Sequence, residues 1–135
     1  MSFCLIVDGF GLYRNTHIKK VDLSDNGLVS IDTSEINIEF NHPVSPTAAG
    51  KISIHYLTPD NEYLLRQRFL CIEPYCNISN NGYSLTIKVL DTTFNMPNAH
   101  YSVEIDDNYL RYQNESEQIP GITKGNWMIK TGIYI

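Results

Sequence analysis

The chain lacks the features that mark nucleic-acid-binding and membrane-spanning proteins. Only 10 of its 135 residues are Lys or Arg, against 15 Asp or Glu, and the net charge is -5. This balance argues against a nucleic-acid partner, which requires clustered basic side chains. The early apolar run from Cys4 to Val7 is far shorter than the ~20 residues that cross a bilayer, and it lacks the basic start of a secretory signal. We therefore expect no membrane insertion by this segment.

Motifs that carry chemistry are also scarce. The four histidines stand apart: His17 and His42 flank turns, while His55 and His100 fall on the polar sides of alternating segments. A zinc site needs ligands paired at short spacing, and a nucleophilic site needs Ser or Cys beside a base in a recognisable turn. We therefore expect exposed or locally hydrogen-bonded histidines, no catalytic residues, no cofactor and no metal.

Two acidic segments are weaker candidates for calcium. Residues 22–27 (DLSDNG) offer oxygen ligands at alternate positions, but the last ligand would be Thr33 instead of the bidentate Glu of a calcium loop. Asp106 and Asp107, with Asp91, form a second acidic group that would lie at one end of a sandwich. We favour a turn for 22–27 and solvent-facing carboxylates for the second group.

Cysteine is rare, with three in the chain. Cys71 and Cys76 bracket a Pro-containing turn, and a bridge between them would stabilise the fold by ~2 kcal/mol on the chain-entropy estimate. That is useful but not essential against a typical ~5–15 kcal/mol of total stability. We therefore expect packed free thiols, with the Cys71–Cys76 bridge left as the alternative and Cys4 as the odd one.

Alternation of apolar and polar residues is the strongest signal that is present. Ile36, Ile38 and Phe40 share one side of 35–41, and four further segments repeat this period of two. Such a period predicts strands that are buried on one face. The five segments are 35–41, 51–57, 83–90, 100–106 and 126–131. With weaker strands at 28–31 and 62–72, they predict an all-β fold, an antiparallel β-sandwich of about 7–9 strands.

The ends suggest the domain boundaries. We interpret 1–17 as a leading strand or linker segment and 18–135 as the sandwich domain. The apolar start, and a last strand that runs on to Ile135, fit a piece of a longer array of domains. We expect the chain to be part of a multidomain protein.

The chain contains four segments that carry a family resemblance: INIEFNHPV (36–44), GYSLTI (82–87), MPNAHYSV (96–103) and GNWMIKTG (125–132). In order and spacing they resemble the bacterial Ig-like domains of the SbsA type. The likeness covers roughly 18–132. It implies an Ig-like sandwich without the usual pair of inter-sheet cysteines. It also implies a role as a spacer or adhesive module in a long surface protein.

The predicted β-sandwich and the family resemblance together indicate the class of function. We expect a non-enzymatic structural spacer or protein-interaction module, extracellular or at the cell surface, whose partners are other domains of the same chain or other proteins. An intracellular assembly role remains an alternative, because the sequence does not encode the compartment. The second hypothesis is an adhesion module for carbohydrate or a protein receptor, with Tyr109, Tyr112 and the 113–126 loop as the contact site.

Overall fold

A computed structural model describes residues 17–21, 28–115 and 117–132, and the backbone of two strands nearer the start. The strands are β1 (Cys4–Val7), β2 (Leu12–Asn15), β3 (Ile18–Val21), β4 (Leu28–Val29), β5 (Glu35–Phe40), β6 (Val44–Pro46), β7 (Lys51–Leu57), β8 (Tyr63–Leu70), β9 (Cys76–Ile78), β10 (Ser84–Lys88), β11 (His100–Ile105), β12 (Leu110–Tyr112) and β13 (Met128–Thr131). The 22–27 segment lies outside the described residues. Within the described part there is no helix that could cross a membrane.

Two sheets form the body of the molecule. One has four strands in the order β3-β5-β10-β9, and the other has five in the order β4-β13-β11-β7-β8. Two smaller sheets pair β1 with β2 and β12 with β6. The pairings are antiparallel except for β4, which lies parallel to β13. The all-β sandwich is confirmed.

The core lies between these two sheets. Ile36, Ile38 and Phe40 of β5 alternate with less buried neighbours, and they join one cluster with Ile54 and Val103 of the opposite sheet. This is the burial that period-2 alternation demands, because successive side chains point to opposite faces. The five predicted strands are confirmed, as is the predicted strand within 62–72.

Side chains from two connections between strands also enter the core. Phe94, in the 91–98 connection, is fully buried and meets the Tyr101 ring edge to face at 5.0 Å between centroids. Ile119 and Ile122, in the 113–126 segment, are buried as well. Within the described residues, the 113–126 segment contains none of the strands β1–β13, in keeping with the predicted loop, but its second half contributes these two apolar side chains to the core. Ile119 and Ile122 are isolated apolar residues in a polar segment, so no periodic pattern in the sequence predicts their burial.

A disulfide joins Cys71 to Cys76, with Cα atoms 5.0 Å apart. The expectation of free thiols is wrong. The chain leaves β8 in one sheet and enters β9 in the other within this short loop, so the two cysteines are brought together where it crosses. Both are buried, so the cysteines do pack in the core as predicted.

Reduction of this disulfide should lower the free energy of unfolding by about 2 kcal/mol, because a short cross-linked loop removes entropy from the unfolded chain. Urea denaturation with and without dithiothreitol measures the difference. The Cys71→Ala/Cys76→Ala variant is the control, and its urea midpoint should not respond to the reductant. A midpoint of the wild type that is equally indifferent would contradict the structural role of the bridge.

Candidate functional site

Strand pairing places two histidines side by side at one end of the sandwich. His17 precedes β3 and His42 follows β5, and these strands pair with Ile18 opposite Phe40. The backbone N–H of Asn41 donates to the carbonyl of His17 at 3.1 Å, which extends the pairing beyond the strands. Both imidazoles therefore lie beside the point where Pro43 ends the β5 ladder.

The small β6–β12 sheet brings Tyr112 to the same place. Tyr112 pairs with Val44, two residues beyond His42. The side-chain amide of Gln113 donates to the Val44 carbonyl at 3.2 Å, which holds the start of the next loop against β6. The backbone N–H of Tyr112 donates to the Glu117 carbonyl at 3.2 Å, so the 112–117 loop closes tightly at this edge.

The Tyr112 ring contacts both imidazoles. The Tyr112 ring lies 5.6 Å from the His17 ring and 5.7 Å from the His42 ring, which is packed edge to face against it. A hydrogen bond joins His17 Nδ1 to the Tyr112 hydroxyl. The contacts fix the orientation of Tyr112 although its side chain is only half-buried.

A pocket of about 390 Å³ lies over this group of rings. We call it the Tyr112 pocket; it is lined by His17, His42, Pro43, Tyr112, Asn114, Glu115 and Glu117. Its volume falls in the range of small-ligand sites, roughly 300–1,000 Å³. Its wall combines aromatic rings with carboxylates and an amide, so it can bind a polar ligand.

Two carboxylates, those of Glu115 and Glu117, line the pocket. Burial raises the pKa of the Tyr112 phenol, and the nearby Glu117 and Glu115 carboxylates raise it further. The two carboxylates are thus close enough to act on the hydroxyl that His17 holds. Among the lining residues that the structure describes there is no Lys or Arg to balance them.

Tyr109, the second predicted contact residue, lies elsewhere. It is 0% exposed and belongs to the core, so the prediction that it contacts a ligand on a surface loop is wrong. The cause is close packing under the 46–50 loop. A Cβ added at Gly50 would lie 2.4 Å from Tyr109 Cβ and 2.5 Å from Tyr109 Cα, so the Gly50 backbone packs directly against the Tyr109 backbone. Tyr112 is the one of the pair that reaches the pocket.

His55 also departs from its expected exposure. It lies on the outer face of the five-stranded sheet, yet it is only 5% exposed. The Tyr63 ring packs edge to face against it, and the Lys124 ammonium lies over that ring at 5.3 Å. The neighbouring Ser102 is covered in the same way, since it accepts a hydrogen bond from Gly125 N at 2.8 Å. The segment before β13 thus covers part of the outer face of the five-stranded sheet, which alternation predicts to be exposed to solvent.

This burial predicts acid sensitivity. Burial lowers the pKa of His55, the Lys124 and Arg68 charges lower it further, and Glu104 opposes them. A lowered folded-state pKa means that the unfolded chain takes up a proton more readily. The free energy of unfolding should therefore fall as the pH drops below ~6.5, the pKa of histidine in the unfolded chain.

In urea denaturation at pH 7.5 and 5.0, we expect the His55→Gln variant to lose less stability than the wild type. An equal loss in both would contradict the assignment.

Asp106 and Asp107, two of the acidic residues considered for calcium, each accept a hydrogen bond from the backbone. Asp106 Oδ2 accepts a hydrogen bond from Lys51 N at 3.1 Å, and Asp107 Oδ1 accepts one from Gly121 N at 2.7 Å. Across the described residues, no three His, Cys, Asp or Glu side chains come together as a metal site. These two carboxylates are placed to brace loops.

A second pocket of about 340 Å³ adjoins the disulfide. Leu85, Leu110 and Ile78 contribute to its apolar wall, and Glu73 is its one charged lining residue among those described. It has fewer groups that could orient a polar ligand than the Tyr112 pocket has. We therefore treat the Tyr112 pocket as the candidate site.

The outer sheet edge is a weaker contact surface. Strand β8 is an edge strand with Leu64 and Leu65 exposed. Its register shifts at Arg66, whose guanidinium donates to the Thr92 carbonyl at 2.8 Å and to Asn95 Oδ1 at 2.9 Å. Bulges and charged side chains on an edge discourage pairing with another strand.

The sequence predicts Tyr112 and the 113–126 loop, which carries Glu115 and Glu117, as contact residues, but it places His17 and His42 only beside turns. No short spacing links the two histidines to each other or to Tyr112. The pairing of β3 with β5 brings the two histidines to the same end of the sandwich. This pairing is evident only once the strand register is known.

Comparison with known proteins supports the fold alone. The chain matches no protein-family model and no curated protein sequence at a significant level. Among solved structures it is similar to CopC from Methylosinus trichosporium OB3b, with a TM-score of 0.54 and 13% sequence identity. The likeness covers 88% of this chain and 95% of that one. At this identity the two proteins share a β-sandwich architecture.

Proposed function

We propose that this chain is a non-enzymatic β-sandwich module that binds a partner through the Tyr112 pocket. The observation that carries the proposal is the convergence of three separate segments on one concave site, with Tyr112 oriented by two imidazoles. Binding residues are commonly placed on loops that a rigid scaffold positions, as the two sheets position these. The partner is another protein or another domain of the same chain.

The disulfide supports an extracellular or cell-surface location. Disulfides persist in oxidising compartments and are rare in the cytosol. The Cys71–Cys76 bridge is buried at the crossing between the sheets, so it is part of the fold. The resemblance to Ig-like domains of the SbsA type supports the same setting, within a multidomain surface protein.

Carbohydrate is the second candidate ligand. Tyr112 offers an aromatic ring beside the Asn114 amide and two carboxylates. An apolar ring with hydrogen-bonding groups around it also suits a sugar. The pocket alone supports both ligand classes, so the test must include both.

The proposal is tested on glycan and peptide arrays with the wild type, Tyr112→Ala and Tyr75→Ala. Tyr75 is 41% exposed and does not line the Tyr112 pocket, so it is the matched control. We expect binding to at least one ligand class, reduced at least tenfold by Tyr112→Ala and unchanged by Tyr75→Ala. Absence of binding, or an equal loss in both variants, would contradict the proposal and leave a spacer role.

A further inference from the structure

We infer that the Tyr112 pocket receives a basic side chain, a lysine or an arginine of a partner polypeptide. This inference rests on the proposed function and names the chemistry of the ligand group. It follows from three properties of the pocket, which are its charge, its aromatic wall and its size.

Charge is the first property. Glu115 and Glu117 line the pocket, both are exposed, and both act on the Tyr112 phenol. An anionic group would be repelled by both carboxylates, whereas a cation would be attracted by both. The net charge of -5 on the whole chain adds long-range attraction for a basic partner.

The aromatic wall is the second property. Cations bind favourably over the face of a tyrosine ring within about 6 Å of its centroid. Tyr112 is held by the His17 hydrogen bond and by the edge-to-face packing of His42. A ring that is already oriented loses less side-chain freedom when a ligand arrives, which favours binding.

Size is the third property. A volume of about 390 Å³ is small for a folded surface but sufficient for one long side chain with its solvent. In the inferred complex the Pro43 ring and the imidazoles would contact the methylene stem, and the carboxylates would bind the charged end. Long basic side chains combine an apolar stem and a charged head in this way. A protruding lysine or arginine of a partner therefore fits the site.

The test uses three acetylated and amidated tripeptides with Gly-Lys-Gly, Gly-Arg-Gly and Gly-(Nε-acetyl-Lys)-Gly sequences. Nuclear magnetic resonance titration of the full chain at low salt gives the dissociation constants. We expect lysine and arginine to bind about tenfold more tightly than acetyl-lysine, from the combined carboxylate and cation–π contributions. Acetyl-lysine keeps the stem but removes the charge, so this ratio isolates the cation.

The matched variants are Glu115→Gln/Glu117→Gln and Glu62→Gln/Glu73→Gln. All four side chains are exposed, and both variants remove two negative charges, but only the first pair lines the Tyr112 pocket. We expect the first variant to reduce lysine-peptide binding about tenfold and the second to change it less than twofold.

The outcomes separate the two proposals. Equal binding of lysine and acetyl-lysine peptides, equal effects of the two double variants, or no binding of any tripeptide would overturn the inference. Glycan binding on the arrays that depends on Tyr112 would also overturn it while the proposed binding function stands. The absence of any Tyr112-dependent array ligand would instead overturn the proposed function itself.

Discussion

The Tyr109→Ala variant is expected to lose about 3–5 kcal/mol of stability, the usual cost of removing a large buried ring. Tyr109 is 0% exposed and belongs to the hydrophobic core, so removal of the ring leaves a cavity in a packed interior. With a typical total of ~5–15 kcal/mol, this loss would leave the fold marginal. Urea denaturation followed by circular dichroism measures it.

Tyr75→Ala is the control for that experiment. The Tyr75 side chain is 41% exposed and touches the Phe69 ring at 5.4 Å, so we expect its removal to cost less than about 1 kcal/mol. A Tyr109→Ala variant as stable as Tyr75→Ala would show that Tyr109 is not a core residue. It would restore the ligand-contact role that its sequence neighbourhood suggests.

The second large effect is expected at Gly121. An added Cβ there would lie 2.0 Å from the Ile105 carbonyl oxygen and 2.5 Å from the Asp106 carbonyl carbon. These are backbone atoms of a region where Ile105 and Ile122 exchange hydrogen bonds of 2.9 Å in both directions. The clash cannot be relieved by rotating a side chain, so Gly121→Ala should cost at least about 3 kcal/mol.

Gly132→Ala provides the comparison with the same chemical change. Its added Cβ would meet nothing closer than the Val29 carbonyl oxygen at 3.8 Å, which is an ordinary contact. We expect a change within about 0.5 kcal/mol. Thermal melting of both variants measures the difference. A Gly121→Ala variant with the same melting temperature as Gly132→Ala would contradict the close approach of residue 121 to the end of β11.

The sandwich could be predicted because its central strands carry a strict alternation. In β5, Ile36, Ile38 and Phe40 are buried while their neighbours are not, and β10 pairs with it residue for residue. Strands β6, β9 and β12 were missed because each has three residues, too few to display a period. The small β6–β12 sheet is the element that positions Tyr112.

Alternation along a strand predicts which side chains are buried only where the outer face of the sheet is exposed to solvent. His55 and Ser102 occupy outward positions, but the segment before β13 covers them, and no local pattern signals a loop that returns across a sheet. Tyr109 and Tyr112 show the same limit. They lie three residues apart with similar polar neighbours, and the pairing of β12 decides which ring is buried and which reaches the pocket.

The central claim is that this sandwich binds its partner at the Tyr112 pocket and not at another surface. Chemical-shift mapping of the uniformly ¹⁵N-labelled chain with the best array ligand tests it most directly. We expect the largest shifts at 17, 42, 112–115 and 117. Shifts centred on the β8 edge at Leu64 and Leu65, or on the apolar pocket beside Cys71 and Cys76, would contradict it.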